Sequence, residues 1–198
     1  MNKRIQVILA GVIALSACNS EVQKKVLIMG RGDIMVKENT VTMTKGTGYA
    51  EKEVAINEKG PATWAVETGD GKQTINLPDD KGYYILNLKT DTIVGSLQLI
   101  GKDLSNSKVM TQEELKLKID SLVNLTLGKN VNFKTNFLVV PNQVLKVSAN
   151  TDARVFGPFK KIPAQLDVAA DNKEPEIYKF YTNTELRDLI KTLKEQTY

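Results

Sequence analysis

From Ala62 to Ile100 the chain reads as alternating strands cut by turns, and this stretch restricts the fold more than any other. Trp64 and Val66 alternate with Thr63, Ala65 and Glu67, and Gln73, Ile75 and Leu77 with Lys72, Thr74 and Asn76. Tyr84, Leu86 and Leu88 form a third row, and Ile93, Leu97 and Leu99 a fourth. A period of two belongs to a strand that buries one face. Gly69-Asp70-Gly71, Pro78-Asp79-Asp80-Lys81-Gly82 and Thr90-Asp91 separate the rows and carry turn chemistry. The pattern predicts an antiparallel meander that forms a sandwich or a strongly curved sheet.

The rest of the chain extends this reading. Val26–Met29 is a short apolar strand broken by Gly30-Arg31-Gly32-Asp33. Residues 34–36 and 41–44 read as a hairpin around Glu38-Asn39. Tyr49–Ile56 is a polar-rich edge strand, because Glu51, Lys52 and Glu53 discourage pairing with another sheet. Residues 136–140 and 143–147 read as a hairpin around Pro141-Asn142, and 153–156 and 177–181 as further strands, with a polar loop at 165–176 between them. Two segments change period. In 111–127, Thr111 and Glu114 make a capping box, Leu115, Ile119, Leu122 and Val123 share a helical face, Glu114 and Lys118 sit at a supporting spacing, and Gly128 stops the helix. In 183–196, Thr182 and Glu185 repeat the capping box ahead of Leu186, Leu189, Ile190 and Leu193. The expected fold is α+β and β-rich, a sandwich or curved sheet with these two amphipathic helices packed on it.

No histidine occurs and cysteine occurs once, at Cys18. Catalysis by Ser-His-Asp or Cys-His, histidine-ligated zinc and disulfides are therefore excluded. Catalysis, if any, would rest on carboxylates, Lys, Tyr or Ser, and stability on the core alone.

Asn2, Lys3 and Arg4 precede an apolar run from Ile5 to Ala17, interrupted by Gln6, Gly11 and Ser16. The run is shorter than the roughly 20 residues of a membrane span and has the length of a signal-peptide core. It ends in Leu15-Ser16-Ala17-Cys18. This resembles the lipobox of bacterial lipoproteins. The resemblance implies that Cys18 carries diacylglycerol, that the chain is cut before it, and that its amine is acylated. Each buried CH₂ of an acyl chain contributes about 0.8 kcal/mol, so two or more chains anchor stably. Asn19, not Asp, follows the cysteine, which by the same resemblance lacks the inner-membrane retention signal and points to the outer membrane. The expected organisation is a signal peptide at 1–17, a tether at 18–25 and one domain at 26–198, with 101–110 as the place for any internal boundary.

Cleavage removes Lys3 and Arg4 and no acid, leaving 25 bases against 23 acids. A balance this even, with the signs interspersed, gives no reason to expect nucleic acid as a partner. Arg31, Arg154 and Arg187 are the only arginines after the leader. Because bidentate clamps on phosphate favour arginine, this scarcity counts against a phosphate site.

Each candidate site has a plainer reading beside it. Trp64 and Tyr83 could stack on sugar rings; Trp64 shares a face with Val66, which suits core, Tyr83 lies opposite Tyr84, Leu86 and Leu88 on the face that could be exposed, and core or rim packing is the plainer reading of both. Arg31-Gly32-Asp33 is an adhesion-type tripeptide and also an ordinary turn. Asp70, Asp79, Asp80 and Asp91 could suggest calcium, which needs six to eight oxygens at one point, but the Asp79-Asp80 turn falls at the opposite strand end from Asp70 and Asp91, and all four are explained as turn residues. Arg154 to Lys161 mixes aromatics with cations, with Phe156 and Phe159 expected to enter the core. The expected function is a non-catalytic, lipid-anchored cell-envelope protein that binds or supports another envelope component. The alternatives are a glycan- or small-ligand-binding sandwich, which requires Trp64 or Tyr83 at the surface, and a carboxylate-dependent hydrolase, which requires an acid in a concave pocket. No cofactor or metal is expected. The partners expected are the membrane, through the lipid, and an envelope protein or glycan.

Overall fold

A computed structural model describes residues 21–44, 46–69, 71–98, 111–163 and 175–195. The lipobox with Cys18, Asp70, the 101–110 segment, most of the 165–176 loop and the Lys118 side chain lie outside the described residues.

The strands are β1 (Lys24–Arg31), β2 (Ile34–Lys37), β3 (Thr40–Met43), β4 (Tyr49–Ile56), β5 (Ala62–Thr68), β6 (Gly71–Leu77), β7 (Gly82–Asn87), β8 (Ile93–Gln98), β9 (Asn136–Val139), β10 (Gln143–Ser148), β11 (Arg154–Phe156) and β12 (Ile177–Thr182). The helices are α1 (Gln112–Thr126), between β8 and β9, and α2 (Asn183–Glu195), after β12. The strands form three sheets of four, ordered β2-β3-β5-β6, β10-β7-β1-β4 and β11-β12-β8-β9. The fold is α+β, β-rich and sandwich-like, and none of the sheets closes into a barrel.

The sheets stack, and each apolar cluster joins two layers. Ile34, Val41, Trp64, Val66, Ile75 and Leu77 of the first sheet pack on Val26, Ile28, Tyr84 and Leu86 of the second. The opposite face of that second sheet, with Leu27, Met29, Tyr83 and Ile85, packs on Ile93, Phe137, Val139, Tyr178 and Phe180 of the third. The far face of the third sheet, at Val94 and Leu138, is covered by Ile119, Leu125, Leu186 and Ile190 of the helices. Each such side chain contributes about 1.5–3 kcal/mol when fully buried.

Both capping boxes form. The Glu114 N–H donates to Thr111 Oγ1 at 3.1 Å and the Thr111 N–H to Glu114 Oε2 at 2.9 Å. The Glu185 N–H donates to Thr182 Oγ1 at 3.1 Å and the Thr182 N–H to Glu185 Oε2 at 2.9 Å.

The meander needs correction. β5 and β6 form the expected antiparallel hairpin, but β7 moves to the second sheet and β8 to the third. β1–β7, β3–β5 and β11–β12 pair in parallel. Alternation reports which face of a strand is buried, not which strand lies beside it. The expected hairpin around Pro141-Asn142 is likewise a crossing between sheets: β9 pairs with β8, and β10 with β7. The tether is shorter than expected. Lys24 and Lys25 already pair with β4, and the fully buried Lys24 amine donates to the Gly60 carbonyl at 2.7 Å. Among the described residues no helix is long and apolar enough to cross a membrane.

Candidate functional site

The parallel strands β1 and β7 end side by side, with the Leu88 N–H donating to the Met29 carbonyl at 2.7 Å. Beyond their carboxyl ends a cleft of about 690 Å³ opens between the first and second sheets. Small-molecule sites commonly have volumes of about 300–1,000 Å³. Arg31, at the end of β1, lines one side, and Leu88, Lys89 and Thr90, just past β7, line another. Thr44, Lys72 and Gln73 contribute from the first sheet and Asn142 from the crossing between β9 and β10. No described carboxylate lines the cleft.

Arg31 belongs to the Arg31-Gly32-Asp33 tripeptide, which forms the corner between β1 and β2. Gly32 has a φ of 77°, in the left-handed region, and a Cβ there would strike the Thr44 carbonyl. The corner is tied by the Gly32 N–H to the Gly48 carbonyl at 2.8 Å and the Asp33 N–H to Thr44 Oγ1 at 3.2 Å. Arg31 lies along Tyr49, donating from Nη2 to the hydroxyl at 3.3 Å, with its guanidinium carbon 5.2 Å from the ring centroid.

Lys89 approaches the same ring. Its Nζ lies 4.5 Å from the Tyr49 centroid and 4.9 Å from that of Phe159. Tyr49 and Phe159 stack with centroids 4.2 Å apart and 13° between their planes. Lys89 is 2% exposed, and its amine has no hydrogen-bond partner among the described residues. Burial pulls its pKa below the ordinary lysine value; Asp91 and Glu185 oppose this without prevailing. Arg31 and Lys89, which both line the cleft, thus approach one aromatic ring, that of Tyr49, which lies beside the lining and not in it. Lys72, by contrast, pairs with Glu67 at 2.6 Å.

The stack forms where the loop after β11 covers the edge strand β4. Glu51 accepts from the Phe159 N–H at 3.2 Å and lies 3.8 Å from the Lys160 amine. Gly157 has no side chain because a Cβ would strike the Glu51 carboxylate. Phe159 does not enter the core as expected; it is 43% exposed, beside a Tyr49 that is 45% exposed.

Trp64 and Tyr83 are both core residues, in line with their plainer reading, and this removes the residues on which the sugar-stacking alternative rested. The second sheet lies between two others, so neither face of β7 meets water. The Tyr83 hydroxyl donates to Glu53, and burial, then this bond, raises its pKa. Burial pushes Tyr84 up to about 12, while its hydroxyl donates to the Asp80 carbonyl at 2.5 Å. The Asp80 carboxylate lies 3.7 Å from the Lys146 amine, and the Asp91 carbonyl accepts from the Asn87 amide at 2.9 Å. Among the described residues no group of three or more His, Cys, Asp or Glu is placed to hold a metal.

Sequence reading missed Lys89 and Tyr49, and it singled out the run containing Phe159 but placed that ring in the core. The unbroken apolar run Tyr83-Tyr84-Ile85-Leu86 signals a strand buried on both faces, and a lysine three residues past it is a weak pointer to a buried amine. Nothing local pairs Tyr49 with Phe159. No known protein family, curated protein or solved structure matches the chain.

Proposed function

We propose that the chain is a lipid-anchored, non-catalytic protein of the bacterial cell envelope, held at the outer membrane, that binds or supports another envelope component. The observation that carries this reading is Leu15-Ser16-Ala17-Cys18, with the only cysteine at the position that lipidation requires. The short interval from Cys18 to the start of β1 at Lys24 supports a domain presented close to the membrane surface. In-cell crosslinking of the tagged chain, followed by mass spectrometry, tests it. The expected result is an acylated protein that captures one reproducible envelope component, with acylation and capture both lost in Cys18→Ala. An unacylated mature protein, or capture unchanged in Cys18→Ala, overturns the reading.

The cleft favours a second reading, a small-ligand-binding module whose site is the mouth between the first and second sheets. Saturable binding of a small molecule, lost when Arg31 is replaced, is the expected result; no such binding counts against it.

A further inference from the structure

Building on the small-ligand reading, we propose that the cleft binds a phosphate monoester, with its anion seated at Arg31 and Lys89. The geometry defines the charge of the ligand. Arg31 and Lys89 both line the cleft and both approach the Tyr49 ring, whereas no described carboxylate lines it. Lys72 is already matched by Glu67. Among the described residues neither cation has a carboxylate within ion-pair distance, and a dianion would match the two charges together. A phosphate monoester carries about −1.5 to −2 at neutral pH and offers three acceptor oxygens.

Lys89 makes the argument specific. A buried charged group without a hydrogen bond is expensive, and proteins pair such groups or change their protonation. Lys89 is 2% exposed, and neither a carbonyl nor a carboxylate accepts from its amine among the described residues. The fold can satisfy a buried lysine: Lys24 donates to the Gly60 carbonyl, and Lys179 donates to three carbonyls. An anion in the cleft would supply that acceptor once the amine, now sealed from solvent against the Tyr49 and Phe159 rings, turns toward it. The scarcity of arginine after the leader counts against a phosphate site in general, but one of the three, Arg31, stands at this cleft and supplies a planar fork that suits phosphate oxygens. Around them, the Thr44 and Thr90 hydroxyls and the Gln73 and Asn142 amides offer hydrogen bonds to the rest of a polar ligand.

The phosphate could belong to a free metabolite or to a lipid headgroup. The purified full-length mature chain, in detergent, is titrated calorimetrically with glucose 6-phosphate, glucose and acetate at matched ionic strength. The same chain is tested for binding to phosphatidylcholine vesicles with and without phosphatidic acid. Saturable binding of glucose 6-phosphate that weakens about tenfold or more in both Arg31→Gln and Lys89→Met supports a free phosphate ester. The same dependence seen only with phosphatidic acid supports a headgroup. Lys116→Gln, which removes one charge from an exposed position on α1, is expected to leave either result unchanged. Binding of glucose as tight as that of its phosphate would overturn the phosphate assignment and leave the small-ligand reading standing. No saturable binding by any probe, or phosphate binding that Arg31→Gln and Lys89→Met leave intact, would overturn it as well.

Discussion

Lys179 of β12 and Lys89, two residues past β7, both reach the same short segment, Gly157 to Lys160. Lys179 donates to the carbonyls of Gly157, Pro158 and Lys160 at 2.6, 3.2 and 2.9 Å. Lys89 meets the segment only through the Phe159 ring, and its amine stays unpartnered. Both amines are buried, and burial depresses the pKa of both. One is a structural clamp; the other is a charge for which the described fold provides no acceptor.

That contrast gives opposite expectations for one substitution. Lys179→Met strips three carbonyls of their donor and should cost about 1–3 kcal/mol. Lys89→Met replaces an unpartnered buried charge with an apolar chain and should leave stability unchanged or raise it by about 1 kcal/mol. A depressed pKa means that the charged amine weakens the fold at neutral pH and that this penalty fades as pH rises toward about 10.4. Any advantage of Lys89→Met should therefore shrink over that range. Urea unfolding at several pH values reads both effects, and equal losses in the two variants would refute the distinction.

Tyr84 makes the opposite contribution. Its pKa is pushed up to about 12, against about 10 for a solvated phenol. Its contribution is complete below pH 10, where both states are protonated, and is lost between about pH 10 and about pH 12 as the unfolded phenol ionises. The parent chain should lose stability across that window more steeply than Tyr84→Phe. Parallel curves for the two proteins would show that Tyr84 does not govern this loss.

Gly95 pairs with Phe180 on one side and Phe137 on the other, and a Cβ at Gly95 would collide with the Phe180 ring. The two rings close over the missing side chain with centroids 6.0 Å apart. Gly95→Val adds strand propensity but overfills this space and should destabilise the fold by about 1–3 kcal/mol. A rise in melting temperature would mean that the rings move aside without cost.

The N-terminus of α2 follows directly from the last strand, so Thr182 both ends β12 and caps the helix. Thr182→Ala should cost about 1 kcal/mol, and Thr182→Ser much less. Hydrogen exchange at the Glu185 amide localises the effect, and protection unchanged in Thr182→Ala would argue against the cap.

Elements whose causes are local can be read from the residues alone. The hairpins at 34–43 and 62–77 and both capping boxes depend on residues within a few positions of one another, and they form as expected. Even the edge position of β4 was legible, from its run of Glu51, Lys52 and Glu53. Tertiary structure alone decided which sheet each strand joins. Tyr83 and Tyr84 have the same composition cost whether one face of β7 is wet or neither is; only the third sheet, laid over the second, buries both. The cation–aromatic cluster beside the cleft has the same origin. Arg31, Tyr49, Lys89 and Phe159 come from four separate segments, and their meeting depends on the parallel pairing of β1 with β7 and on the loop folded over β4. Periodicity records the burial of each residue against some neighbour; it carries no identity for that neighbour, and long-range pairing is where the identity is decided.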